Sequence, residues 1–198
     1  MKKKILITAF GPFHNLDTNP SQLVLEYVKD KLKFGDTANI TYQILEVSYI
    51  AVDHFIDNLS EKYDWIIHMG VASNNTFPRI EILAQNLLNG KDIYGFEPNN
   101  HRIQDESEDI QTNFPIHLID NLQLQYKDEL IISKDAGTYL CNYIYFKSLY
   151  HFKENGKVIF IHTADFYTRK DALGIEQHAR IIESLIRGIE AIDQMFSI

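Results

Sequence analysis

The chain has 198 residues, of which 45% are hydrophobic and 23% charged, and its formal net charge is −8. That length suits one domain, residues 1–198, with one sizeable core, and the composition is that of an ordinary globular protein. The acidic balance argues against a nucleic-acid or anionic-membrane partner, since both reward clustered Lys and Arg, and no run is long and apolar enough to span a bilayer.

Lys4-Ile5-Leu6-Ile7-Thr8-Ala9-Phe10 is a short apolar run with β-branched residues and no helical period, which predicts a strand buried on both faces. It is too short for a signal-peptide core, and no small-residue cleavage pattern follows. Gly11-Pro12 stops it. Asn19-Pro20-Ser21 then reads as a helix start, with Asn19 as N-cap and Pro20 in the first helical position. Leu23, Val24, Tyr27, Val28 and Leu32 follow at helical spacing. Asn39 to Val47 predicts a second strand, and Val52 to Tyr63 a helix with Phe55, Ile56 and Leu59 on one face. Asp64 to Gly70 is a third buried strand. Pro78 to Leu83 is a fourth, with Ile80 and Ile82 facing one way and Arg79, Glu81 and Leu83 the other. From Asn86 to about Phe114 the periodicity is lost. A loop of that length is a functional element, such as a flap beside a site, or a plain surface excursion.

Ile116 to Leu122 predicts a short helix, and Glu129-Leu130-Ile131-Ile132 a strand. Asp135-Ala136-Gly137 makes a tight turn in which Gly137 is free to take a positive φ. The helix that follows, through Phe152, carries the chain's only cysteine, Cys141, in its first turn. Lys157 to His162 is the last strand. A C-terminal helix runs from about Asp171, with Ile175, Ala179, Ile182, Ile186 and Ile189 as its apolar stripe. Strands alternating with helices predict a three-layer α/β/α sandwich around a mostly parallel twisted sheet.

In such sheets, sites gather at the carboxyl ends of strands. Phe10 to Phe13, Gly70-Val71-Ala72, the turn before Cys141, and His162 all fall there. A thiolate near a helix N-terminus gains from the unpaired backbone N–H groups and the helix dipole, so Cys141 is a candidate nucleophile; its other reading is inert core filler. A single cysteine cannot close an internal disulfide, which fits a reducing, cytoplasmic setting. A cysteine hydrolase also needs an imidazole and gains from a group that orients it. Of eight histidines, His162 and His68 both sit at strand ends. His151 is about three turns beyond Cys141, too far to pair. His14, His54, His101, His117 and His178 fall in polar loops or surface faces. Glu81 shares a strand face with Arg79, so an ordinary ion pair with Arg79 or another base is geometrically cheap. No stretch reads as a zinc site, a dinucleotide fingerprint or a P-loop.

Ser133-Lys134-Asp135-Ala136-Gly137-Thr138-Tyr139-Leu140-Cys141-Asn142 resembles the nucleophile signature of the pyroglutamyl peptidase I family, cysteine peptidases that remove an amino-terminal pyroglutamyl residue. Phe160-Ile161-His162 resembles the segment holding that family's catalytic histidine. Arg79-Ile80-Glu81, with Asn86 after it, resembles the segment holding its acidic third member. The resemblance implies Cys141 as nucleophile, His162 as general base and then acid, and Glu81 as the orienting carboxylate. Thr8-Ala9-Phe10-Gly11-Pro12-Phe13 resembles the family's N-terminal motif, so Phe10 and Phe13 would wall the lactam ring. Asn19 matches a stretch that supports the pocket loop, and Val71 a residue whose backbone bonds the lactam. The implied substrates are peptides with N-terminal pyroglutamate, with no metal or cofactor. Some members form tetramers, so a homo-oligomer is compatible with the resemblance. The chain departs from the family at Gly11, at His14-Asn15, at Ser73-Asn74-Asn75 where many bacterial members have Gly-Gly-Arg, and at Thr163-Ala164 where a small residue and proline are usual. Two other readings stand beside the peptidase: an impaired member that only binds pyroglutamyl or lactam ligands, and a structural α/β protein with an inert Cys141.

Overall fold

A computed structural model describes residues 2–13, 17–59, 63–73, 75–99 and 101–192. Its centre is a six-stranded sheet. β1 (Lys3–Phe10) pairs in parallel with β2 (Ala38–Leu45) and with β3 (Trp65–Val71), and β3 pairs in parallel with β8 (Lys157–Thr163). β4 (Arg79–Glu81) then runs antiparallel to β8 and parallel to β7 (Ile131–Ser133), giving the order β2-β1-β3-β8-β4-β7. A separate two-stranded ladder joins β5 (Leu83–Ala84) to β6 (Ile110–Gln111).

The period-2 alternation of the strands sorts their side chains between two layers. Ile5, Ile7 and Ala9 of β1, Ile67 and Met69 of β3, and Ile159 and Ile161 of β8 pack with α1 (Pro20–Lys31), α3 (Ile116–Gln125) and α5 (Ile175–Ala191). Leu6, Phe10, Ile66, Val158 and Phe160 face the other way, onto α2 (Tyr49–Asp57) and α4 (Leu140–Phe152). This is the three-layer arrangement predicted from the alternating elements. Among the described residues no helix is long and apolar enough to cross a membrane.

Several elements differ from expectation in extent. α1 begins as predicted, with Asn19 Oδ1 accepting the Ser21 N–H at 3.0 Å and Pro20 opening the helix. α2 starts three residues early because Ser48 caps it and the Asp92 carboxylate accepts the Tyr49 N–H; Asn58 ends it. The predicted fourth strand is split. Thr112 and Asn113 take up the backbone groups of Val158 with their side chains, so the chain leaves the main sheet after Glu81. α5 begins at Ile175, four residues later than predicted, after a turn in which Arg169 pairs with Asp171 and the Leu173 N–H bonds Thr76 O.

The non-periodic stretch is an ordered excursion. The buried side chain of Asn86 accepts the N–H groups of Ile103 and Gln104 and donates to the carbonyls of Gln104 and Ser107. Asn142 of α4 does the same for Gln85 and Leu87. Each side chain satisfies backbone groups that no ladder pairs.

Candidate active site

The turn after β7 delivers the cysteine. Asp135 Oδ1 accepts the Gly137 N–H at 3.0 Å, and Gly137 sits at φ 76°, the left-handed region that favours glycine. Tyr139 is the extended N-cap, without a side-chain cap bond, so Leu140 and Cys141 begin α4. Their N–H groups have no partner within the helix.

Alternation then sets what Cys141 meets. Gly70 of β3 and His162 of β8 are register partners, and both lie on the sheet face that packs against α4. A Cβ built at Gly70 would lie 2.6 Å from Cys141 Sγ and 3.0 Å from Phe160 Cζ. Gly70 therefore leaves the space that the sulfur occupies, over the seam between β3 and β8. His162, on the next strand, hydrogen bonds that sulfur. Its Nδ1 donates to Glu81 Oε1 at 2.8 Å, which leaves Nε2 for Cys141. Glu81 is fully buried and pairs with His162, not with Arg79; among the described residues its Oε2 has no hydrogen-bond partner. Burial pushes the His162 imidazole down, but the negative charge and hydrogen bond of Cys141, with those of Glu81, outweigh it and raise the group to about 9.

Beside the sulfur is a pocket lined by Phe10, Phe13, Asn19, Val47, Val71, Tyr139, Leu140 and Cys141. Aromatic and aliphatic walls dominate it, which suits a flat, neutral ligand group. Asn19 serves it from behind, donating Nδ2 to Gly11 O at 3.0 Å and so pinning the loop that carries Phe10 and Phe13. The excursion braces the opposite wall. Ile93 N–H bonds Val47 O at 3.2 Å, and Tyr139 hydroxyl donates to Lys91 O at 2.9 Å. The structure thus brings Cys141, His162 and Glu81 into one line, with Phe10, Phe13, Asn19 and Val71 around the adjoining pocket.

Sequence reasoning missed Val47, Tyr139 and Leu140 as pocket walls. Tyr139 and Leu140 were adjacent to the cysteine in the chain, and Val47 follows a strand's carboxyl end, which was the available signal. His68 is a core residue, bonded by side chains rather than backbone: Thr8 Oγ1 at 2.7 Å and Ser148 Oγ at 2.8 Å. Burial pushes it down to about 3, so it is neutral. His178 is the clearest correction: it is not on a surface face but 2% exposed, inside the α5 layer. His54, His101 and His117 are exposed as expected, and His151, about three turns along α4 from Cys141, is exposed too. Of the departures noted in the sequence, His14-Asn15 and Asn74 lie outside the described residues. Asn75, Thr163 and Ala164 are all buried.

One family, described as pyroglutamyl peptidase, matches residues 3–172 of this chain. The pyrrolidone-carboxylate peptidase of Thermococcus litoralis is 29% identical to it, over 95% of this chain and 90% of that protein. The pyrrolidone-carboxylate peptidase of Thermoanaerobacter sp. strain X514 is 32% identical, over 80% of this chain and 81% of that protein. The crystal structure of pyrrolidone carboxyl peptidase from Thermus thermophilus superposes with a TM-score of 0.81 at 25% identity, covering 92% of this chain and 98% of that one.

Proposed function

From the premise that the chain belongs to the pyroglutamyl peptidase family, we propose that it is a cysteine peptidase that removes an N-terminal pyroglutamyl residue from peptides, residues 1–198 acting as one catalytic domain. The observation that carries this reading is the line Glu81–His162–Cys141, with Glu81 and His162 buried and Cys141 opening onto a small, mostly apolar pocket. Pyroglutamate is a neutral lactam with no α-ammonium, so its site needs flat apolar walls and no carboxylate awaiting an amine. Phe10 and Phe13 supply such walls, Val71 a backbone edge, and Asn19 the support of the loop.

The raised imidazole of His162 places a positive charge beside the sulfur, which favours the thiolate as the attacking form. The Cys141 thiolate attacks the pyroglutamyl carbonyl carbon, and the carbonyl π electrons move onto oxygen. The N–H groups of Leu140 and Cys141, at the uncapped start of α4, receive that oxyanion. As the C–N bond breaks, His162 gives its proton to the leaving amine, and a thioester remains on Cys141. His162 then takes a proton from water, hydroxide adds to the thioester, and the thiolate leaves with pyroglutamic acid released. Glu81, bonded to Nδ1, holds the ring in the tautomer that presents Nε2 and stabilises the imidazolium. A thiol that must stay reduced fits a cytoplasmic setting.

The test is release of a fluorescent amine from a pyroglutamyl amide. Hydrolysis by the natural protein that is lost in Cys141→Ser and after iodoacetamide is the expected result. Absence of hydrolysis by the natural protein, with Cys141 slow to alkylate until denatured, would sink the enzyme.

A further inference from the structure

The mechanism leaves two buried, fully engaged imidazoles unused, His68 and His178, and only the second touches the segment that carries His162 onward. On α5, His178 Nδ1 donates to Gly174 O at 2.7 Å, and Nε2 accepts the Ala164 N–H at 2.8 Å. A donor at one nitrogen and an acceptor at the other defines the neutral tautomer. Phe166 packs on the same ring, with centroids 5.4 Å apart. The segment leaving β8 therefore wraps around His178. Ala164 is wholly buried, so water cannot replace the acceptor for its N–H.

This contact falls two residues after His162. Ties to that stretch also come from β3 and the loop after it: Thr163 Oγ1 to Gly70 O at 3.2 Å, Ala72 N–H to Thr163 O, and Asp165 N–H to Asn75 O. His178 is the tie from the helical layer, and it lies beyond the residues that match the family. Charged groups nearby are engaged elsewhere or face water. Asp165 bonds Thr168, Arg169 bonds Asp171, and Glu176 and Arg180 of α5 are exposed. Burial alone pushes His178 down, to about 4, with the Gly174 carbonyl opposing.

We propose that His178 is a positioning residue: as a neutral acceptor for the Ala164 N–H it fixes the end of β8, and with it the His162 imidazole between Cys141 and Glu81. The inference rests on His162 being the base, as proposed above. His178→Leu keeps the bulk and removes the acceptor; His178→Gln keeps an acceptor that does not titrate. With both variants folded by circular dichroism, His178→Leu is expected to lower kcat about tenfold with KM within about twofold, as a small displacement of a proton-transfer group does. His178→Gln restores most of that kcat. The His162 imidazole, followed by NMR, is expected to titrate near 9 in the natural protein and to shift down in His178→Leu as its contacts with Cys141 and Glu81 loosen. Unchanged kcat and an unchanged His162 midpoint in His178→Leu overturn the inference, as does a Gln variant as impaired as the Leu one. If the natural protein hydrolyses no pyroglutamyl amide, the proposed function fails, and the His162 titration, which needs no substrate, still decides the position of the ring. An Ala164 amide that exchanges with solvent as fast as an exposed loop in the natural protein overturns the inference even where His178→Leu does not fold.

Discussion

Gly70 carries the tightest steric demand in the site. A methyl group there would stand 2.6 Å from the sulfur, well inside contact distance. Gly70→Ala is expected to push Cys141 off the β3–β8 seam and away from His162, lowering kcat on the order of 10²-fold, the scale of a displacement near 1 Å. Iodoacetamide labelling at neutral pH should slow in parallel while the melting temperature stays close to that of the natural protein; unchanged labelling would contradict the geometry. Glu81→Gln tests the next link. It keeps the shape but removes the charge that helps hold His162 as imidazolium. Turnover should fall by about 10²-fold or more, in line with loss of the orienting carboxylate in a triad. The natural protein should also lose kcat/KM as pH rises through about 9, because the imidazolium that protonates the leaving amine is then neutralised. A profile flat to well above that pH would argue against His162 as the acid.

At the scale of elements, α4 is held to the sheet by polar pins as well as by its apolar face. Ser148, two turns beyond Cys141, bonds His68, and the Tyr145 hydroxyl donates to Glu81 O at 2.8 Å. These pins fix the helix rotation that points Cys141 at Gly70. Ser148→Ala would leave a ring nitrogen of His68 without its partner at a site that water does not reach. The expected loss is about 1–3 kcal/mol of unfolding free energy, read from the urea midpoint. The excursion depends on Asn86 in the same way, and here the sequence was opaque: turn residues marked where the chain bends, but nothing local says that one asparagine collects four backbone partners far along the chain.

For the whole molecule, buried histidines shape the pH response. His68 and His178 have folded values near 3 and 4, below the ordinary 6.5. The unfolded chain therefore binds more protons between those values and 6.5, and stability falls as pH drops through that window. For His178 alone the shift corresponds to about 3 kcal/mol at the acid end, an order-of-magnitude figure. His162 acts oppositely: its folded value is raised, so its contribution is full below 6.5 and is lost as pH rises through about 9. Urea midpoints at pH 4, 6.5 and 9 should peak at the middle value. A midpoint still rising at pH 9 would contradict the pairing of His162.

The layer architecture, the strand and helix order and the Gly137 turn were legible in the sequence, because each follows from local periodicity, capping and backbone freedom. So was the cluster of candidate residues at strand ends, since in a parallel sheet those ends share one edge. A place at a strand end just downstream of the Cys141 helix leaned toward His162 over His68, and the resemblance sharpened the choice. Tertiary structure alone decided how their environments differ: Thr8 and Ser148 enclose one ring, while Cys141 and Glu81 bracket the other. It also decided that Glu81 turns to His162 and not Arg79, that His178 is interior, and that Gly70 must lack a side chain. Each of these depends on which strand or helix lies opposite, through contacts between residues tens of positions apart, and no local pattern in the chain encodes such a distance.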